Sequence, residues 1–238
     1  MKRTIIYGVS PEFAMTKMDD VPQYECDLYV EDRRAATMLT EILAAHSPDL
    51  VQRCQVIPYG AASVGMSLGI MASQERFPRP SCVFLDGDQA PATGCIILPG
   101  EDAPEQVIFR DLLKNNWANV AVRVGRPFSQ VADDCTQAMT LANHHDWVKQ
   151  AATQLVVSGE ILWHAMCAEW STTCFSADEA KFITQAINDV LIGIKAKDAI
   201  PVTPEIADPP KADEPSPAPS EPIVSGLLFE LSPSGPVS

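Results

Sequence analysis

An α/β fold, with a parallel-rich sheet flanked by helices, is predicted by three features of the sequence. Apolar β-like runs occur at 26–31, 53–58, 81–86 and 94–98. Helical periodicity at 33–46 and 62–75 fills the gaps between the first three runs. The third run, Cys82-Val83-Phe84-Leu85, has no polar alternation. Strands separated by helices pair in parallel through right-handed crossovers, and a run without alternation is a strand buried on both faces.

The later elements follow from local signals. After Leu98-Pro99-Gly100 a helix is expected over 103–116, with Pro104 tolerated in its first turn. Helical patterning then continues over 128–157, breaks at Val157-Ser158-Gly159, and resumes at 159–170 and 177–196. Ser176 followed by Glu179 has the spacing of a capping box. From about 198 the composition shifts to Pro, Ala, Ser, Glu and Asp, which cannot bury enough surface to offset chain entropy. The expected organisation is an α/β domain over 1–125, a helical C-terminal extension over 126–197 and a disordered tail over 198–238. Near the tail's end, Ile223 to Leu231 forms an apolar patch that reads equally as a docking peptide or as a tail end without a role.

Composition narrows the function classes. The 238 residues carry a net charge of −14. Seven acids and the single base Lys211 lie from 198 onward, so the charge divides as −6 in that segment and −8 before it. A chain gripping nucleic acid unaided would be expected to present a basic surface, which the bulk charge does not supply. No apolar run reaches the roughly 20 residues that span a bilayer, and the first residues lack a signal-peptide core, so a cytoplasmic protein without a membrane is expected. Seven scattered cysteines without a Cys-x-x-Cys pair read as buried reduced thiols rather than a zinc site.

The chemistry-bearing residues fall at strand ends. Asp86-Gly87-Asp88 follows the apolar third strand, and ligands of open α/β sheets bind at the carboxyl ends of strands. Gly87 lets the backbone turn sharply enough to aim two carboxylates at one point, where all-oxygen ligation suits Mg²⁺ or Mn²⁺. An exposed turn is the equal alternative. Glu31 closes the first strand as Asp86 closes the third, so neighbouring strands would bring the three acids together around one cation or two. Between them, Tyr59-Gly60-Ala61-Ala62 is a small-residue turn that permits close approach of a phosphate.

Taken in order, Leu28-Tyr29-Val30-Glu31, Val56 to Gly60, Asp86-Gly87-Asp88 and Ile96-Ile97-Leu98-Pro99-Gly100…Glu105 resemble the Toprim domain of the OLD family of ATP-dependent nucleases. Tyr7-Gly8-Val9-Ser10-Pro11 is similar to the segment joining the ATPase of that family to its Toprim domain. The resemblance covers about residues 5 to 195. It implies a Toprim-like fold and a metal-dependent nuclease cleaving DNA, in anti-phage defence or DNA repair. Glu31, Asp86, Asp88 and Glu105 would bind Mg²⁺ or Mn²⁺, and Lys181 would stabilise the cleaved phosphate. The family often reads Val-Glu-Gly-x-x-Asp, whereas here Asp32 replaces the glycine and Ala35 stands in place of the second acid. The nucleotide-binding motif Gly-x-x-x-x-Gly-Lys-Ser/Thr is absent from the sequence, so either the implied ATPase is a separate subunit in trans or the chain is a shortened relative. Self-association stays open.

Other groups invite weaker readings. His144-His145-Asp146-Trp147 is expected to cap or pack, because adjacent helical side chains point about 100° apart and at most one faces a site, with His145 the contributor to a phosphate pocket. Asp133-Asp134 reads as a solvated turn. Lys114, Arg123 and Arg126 either track a phosphodiester backbone or form a solvated face. Two rival functions remain. An inactive Toprim scaffold is kept alive by Ala35. A haloacid-dehalogenase-like phosphatase shares Asp-x-Asp, but that family places the motif near the first strand and wants Thr or Val soon after it, where Gln89-Ala90-Pro91 stand here.

Overall fold

The computed structural model describes residues 24–193. The 198–238 tail, its apolar patch and the Tyr7–Pro11 segment lie outside them. The chain forms strands β1 (Cys26–Val30), β2 (Cys54–Pro58), β3 (Ser81–Leu85) and β4 (Cys95–Ile97). They make one sheet in the order β2-β1-β3-β4, every neighbouring pair parallel. The helices are α1 (Arg33–His46), α2 (Pro48–Arg53), α3 (Ala62–Ser73), α4 (Pro104–Lys114), α5 (Val120–Val124), α6 (Phe128–Ala138), α7 (Trp147–Leu155), α8 (Gly159–Thr173) and α9 (Ala177–Leu191). This is the α/β fold expected from the sequence. No described helix is long and apolar enough to cross a membrane.

The central strands are the apolar ones for a physical reason. Cys26, Leu28 and Val30 of β1 and Val83, Phe84 and Leu85 of β3 are almost wholly buried, because helices cover the sheet. Asp32 starts α1 by accepting hydrogen bonds from the Arg34 and Ala35 amides, both at 2.8 Å, which satisfies two of the helix's unpaired donors. Helix α1 buries Ala35, Met38, Leu39, Ile42 and Leu43, and α8 packs along it with Trp163, Met166 and Trp170. Trp163 donates to the Arg34 carbonyl across this contact at 3.1 Å. The core is continuous from Cys26 through Ile187, so the later helices share it with the sheet.

Several boundaries differ from expectation. The single helix over 128–157 is two helices, α6 and α7, with a 3-10 turn at His144–Asp146 between them. Asn143 causes the break by accepting from the His145 amide at 3.2 Å, and Trp147 donates its indole N–H to the Leu141 carbonyl at 2.9 Å. Asp133 and Asp134 lie inside α6 rather than in a turn, with Asp133 exposed to solvent. The break near 157 is present: Val156 has φ +53°, and Arg126 donates to the Leu155 and Val156 carbonyls at 2.7 Å. Helix α2 was not anticipated, although Pro48 occupies its first turn. Nor was α5, whose Val-Ala-Val-Arg-Val favours a strand by composition and ends at Gly125 in the left-handed region. Helix α9 stops at Leu191, followed by Gly193 at φ +73°. Ser176 caps α9 by accepting from the Glu179 amide at 3.2 Å, while its hydroxyl donates to the Glu179 carboxylate at 2.5 Å, so half of the expected capping box forms.

All seven cysteines are free. Cys26 and Cys54 are register partners, and Cys26 also meets Cys82 on the other side. Burial drives the Cys135 thiol up to about 12. It raises those of Cys26 and Cys54 as well, behind the contacts each makes with its neighbouring thiols, so these groups stay protonated.

Candidate metal centre

The strand ends are stitched together before any side chain is considered. Tyr29 pairs with Val83, so Glu31 after β1 and Asp86 after β3 emerge at the same edge of adjacent strands. The Tyr59 amide donates to the Val30 carbonyl at 2.8 Å and the Gly60 amide to the Glu31 carbonyl at 2.7 Å, tying the end of β2 to β1. Gly60 has φ +107°, with open space where a side chain would stand. On the other side, the Leu98 amide donates to the Leu85 carbonyl at 2.8 Å. A Cβ on Gly87 would come within 2.5 Å of the Gly100 carbonyl oxygen and 2.8 Å of that of Asp102. Only glycine lets the Asp86-Gly87-Asp88 turn press this closely on the loop after β4.

The acids placed by this framework share one electrostatic neighbourhood. Burial pushes the Asp86 carboxyl up to about 7, and the charges of Glu31, Asp32, Asp88 and Glu105 push in the same direction. Glu31 is raised by burial and then by Asp32 and Asp88, while the Ala62 amide at the start of α3 and His145 partly oppose this. Tyr59, whose hydroxyl donates to the Phe84 carbonyl at 2.9 Å, is raised by burial, Glu31 and Asp86. Asp88 is exposed and accepts from Gln89 at 2.9 Å. Two carboxyl oxygens, Glu31 Oε2 and Asp86 Oδ1, are buried without a hydrogen-bond partner. Unbonded buried oxygens among mutually repelling acids fit a hard divalent cation, which would supply both the missing partner and the missing positive charge.

Glu105, the fourth implied ligand, has close partners of its own, although its charge also acts on Asp86. At 2% exposure it is buried near the start of α4, and Arg34 of α1 binds its Oε1 at 3.1 Å. His145 Nδ1 approaches the same oxygen at 3.4 Å. Both histidines reach Glu105, contrary to the expectation that only one could face a site. The reason is the 3-10 turn, which brings their ring centroids to 4.0 Å. Among the described residues, Glu105, His144 and His145 form the set whose ligand atoms all lie within 4.8 Å of one another. Glu31, Asp86 and Asp88 are spaced more widely than that.

The remaining candidates are elsewhere engaged or exposed. Ala35 is fully buried against the core, so the missing second acid is replaced by an apolar contact, and Asp32 spends one oxygen on the α1 cap. Lys181 stands exposed on α9. Lys114 pairs with Asp111 at 3.0 Å, Arg123 with the buried Glu169 at 3.0 Å, and Arg126 holds the end of α7. Arg123 and Arg126 thus hold parts of the fold, whereas Lys114 is largely exposed.

No protein-family model matches the chain, no curated protein matches it, and no solved structure matches it. Its class is therefore given by fold and site alone: an α/β protein with an acidic cluster at the carboxyl ends of its two central parallel strands.

Proposed function

We propose that this chain is a Toprim-type nuclease subunit that uses Mg²⁺ or Mn²⁺ to cleave DNA phosphodiesters and works with an ATPase subunit in trans. The observation that carries the reading is the placement of Glu31, Asp86 and Asp88 beyond adjacent parallel strands in one electrostatic neighbourhood, with Glu31 Oε2 and Asp86 Oδ1 buried and unbonded. The order of motifs along the sequence supports it independently. In this reading Glu31, Asp86 and Asp88 hold the ion, which when bound orients the scissile phosphate and lowers the pKa of water. The Ala62 amide steadies Glu31, and the Gly87 contact steadies the Asp86 turn. The open space beside Gly60 and the small Ala61 suit close approach of a phosphate in this reading. The net −8 of the first 197 residues repels DNA, which is why a basic partner belongs to the proposal.

Plasmid nicking with Mg²⁺ or Mn²⁺, with and without the ATPase, tests this. Wild type should cut weakly alone and strongly with the partner, while Asp86→Ala/Asp88→Ala should not cut. Equal cutting by the variant would place the activity elsewhere. The buried Ala35 favours a second reading, an inactive Toprim scaffold, which predicts no cutting under any condition and no Mg²⁺ binding.

A further inference from the structure

We propose that Glu105, His144 and His145 form a second metal site, selective for a transition-series divalent ion with Zn²⁺ as the best fit. Its donor set is separate from the strand-end carboxylates, although Glu105 and His145 feel the charges of Asp86 and Glu31, and its test does not depend on whether those carboxylates cleave DNA. Three independent features converge on it. The ligand atoms of the three residues already lie within 4.8 Å of one another, although they come from α4 and from the turn ahead of α7. His144 Nε2 is buried with no hydrogen-bond partner, which is costly for an imidazole held only for packing. Asn143, by accepting from the His145 amide, fixes the turn that sets the two rings side by side instead of fanning them apart as an α-helix would.

The donor set decides the ion. Two imidazoles and one carboxylate suit Zn²⁺ and its transition-series neighbours, whereas Mg²⁺ prefers oxygen ligands and keeps its water. Two histidines and a glutamate are also the ligand count of zinc sites that leave a fourth position open. Here His145 is exposed while Glu105 is buried, so the site opens to solvent on one side only. Arg34 does not close it. Its guanidinium binds Oε1 of Glu105 and leaves the second carboxylate oxygen for an ion. In the same way an outer partner orients a ligating carboxylate.

Co²⁺, a spectroscopic stand-in for Zn²⁺, tests the proposal on the full-length chain without a polyhistidine tag. With excess Mg²⁺ present to fill the strand-end carboxylates, titration should give one Co²⁺ per chain with visible d–d absorption, displaced by Zn²⁺. The spectrum should persist in Asp86→Asn/Asp88→Asn. His144→Gln and His145→Gln should each weaken binding by more than about tenfold, since loss of an outer-shell partner alone costs that much. The proposal is overturned if no Co²⁺ binds, if the bands survive both histidine substitutions, if they vanish in the aspartate variant, or if near-ultraviolet thiolate bands put the ion on cysteine. A footprint on wild type covers the case of a misfolded variant. Zn²⁺ should protect His144 and His145, but not His46 or His164, from diethylpyrocarbonate, and equal modification of all four would overturn the assignment.

Discussion

Glu31, at the end of β1, is the side chain whose charge does most to raise the pKa of Asp86 at the end of the adjacent β3. Together with burial it brings Asp86 to about 7, so the two carboxylates oppose each other's ionisation in a site built to hold both.

This opposition has a sign that can be measured. Asp86 titrates higher in the folded chain than in the unfolded one, so the folded state binds the extra proton between about pH 4 and about 7. Stability tied to Asp86 is therefore present at low pH and lost as pH rises through that window. In a metal-free buffer with chelator, Asp86→Asn should raise the melting temperature at pH 8 by about 2–4 °C for each kcal/mol gained, with little gain at pH 4. Saturating Mg²⁺, which prefers the all-oxygen strand-end site, should reverse the ranking by stabilising wild type alone, by about 2.7 kcal/mol at a hundredfold excess over Kd. Thermal melts across pH check both outcomes, and a lower melting temperature for the variant at pH 8 without metal would contradict the repulsion.

Gly87→Ala should damage the site more than the fold. The added Cβ meets two backbone carbonyl oxygens, which cannot swing away as a side chain could. The Asp86-Gly87-Asp88 turn must lift off the loop after β4, at a cost of about 1–3 kcal/mol for overpacking. Calorimetry should show Mn²⁺ affinity reduced while far-UV circular dichroism is unchanged. Undiminished affinity would mean that this packing does not position the acids.

The parallel order and the strand-end acids were legible in the sequence because apolar continuity and period are local signals. Leu28, Phe84 and Leu85 read as core, and their strands led directly to Glu31 and Asp86. The pairing of Glu105 with His144 and His145 was not legible, because it depends on a 3-10 turn replacing a helix that the periodicity of 128–157 favours. Asn143 was the available signal, since its side chain competes with the helical backbone for hydrogen bonds. The roles of Arg123 and Arg126 were hidden for a different reason. A cluster of bases in sequence says nothing of Glu169, 46 residues from Arg123, or of the α7 carbonyls that Arg126 holds.

Arg123→Met should therefore act on stability, not on DNA. Its guanidinium is the ion-pair partner of Glu169, which is 1% exposed, and Asn119 adds a bond of 3.2 Å to the other carboxylate oxygen. Leaving that carboxylate unpaired should cost about 3 kcal/mol. Denaturant unfolding should report the loss, while the salt dependence of DNA binding with the ATPase partner stays as in wild type. A flatter salt slope in the variant would restore Arg123 to a phosphate track.

Arg34 should behave as a hub, and a double-mutant cycle separates its two duties. Its side chain pairs with Glu105 at 3.1 Å and lies 5.5 Å from the centroid of the Trp163 ring, so it touches α4 and α8 from α1. Arg34→Met keeps the apolar stem but strands Glu105, which is 2% exposed, with only the imidazoles of His144 and His145 nearby. Unfolding should become easier by about 3 kcal/mol, the cost of breaking one side of a buried pair. Glu105→Leu in the same chain removes the stranded charge, so the double variant should regain much of that loss. A coupling of about 1–3 kcal/mol is the range expected for residues in contact. The contact with Trp163 is absent from both Met variants and cancels in that difference. Strictly additive losses would show that Arg34 stabilises the chain through Trp163 and packing alone, and that Glu105 does not need it.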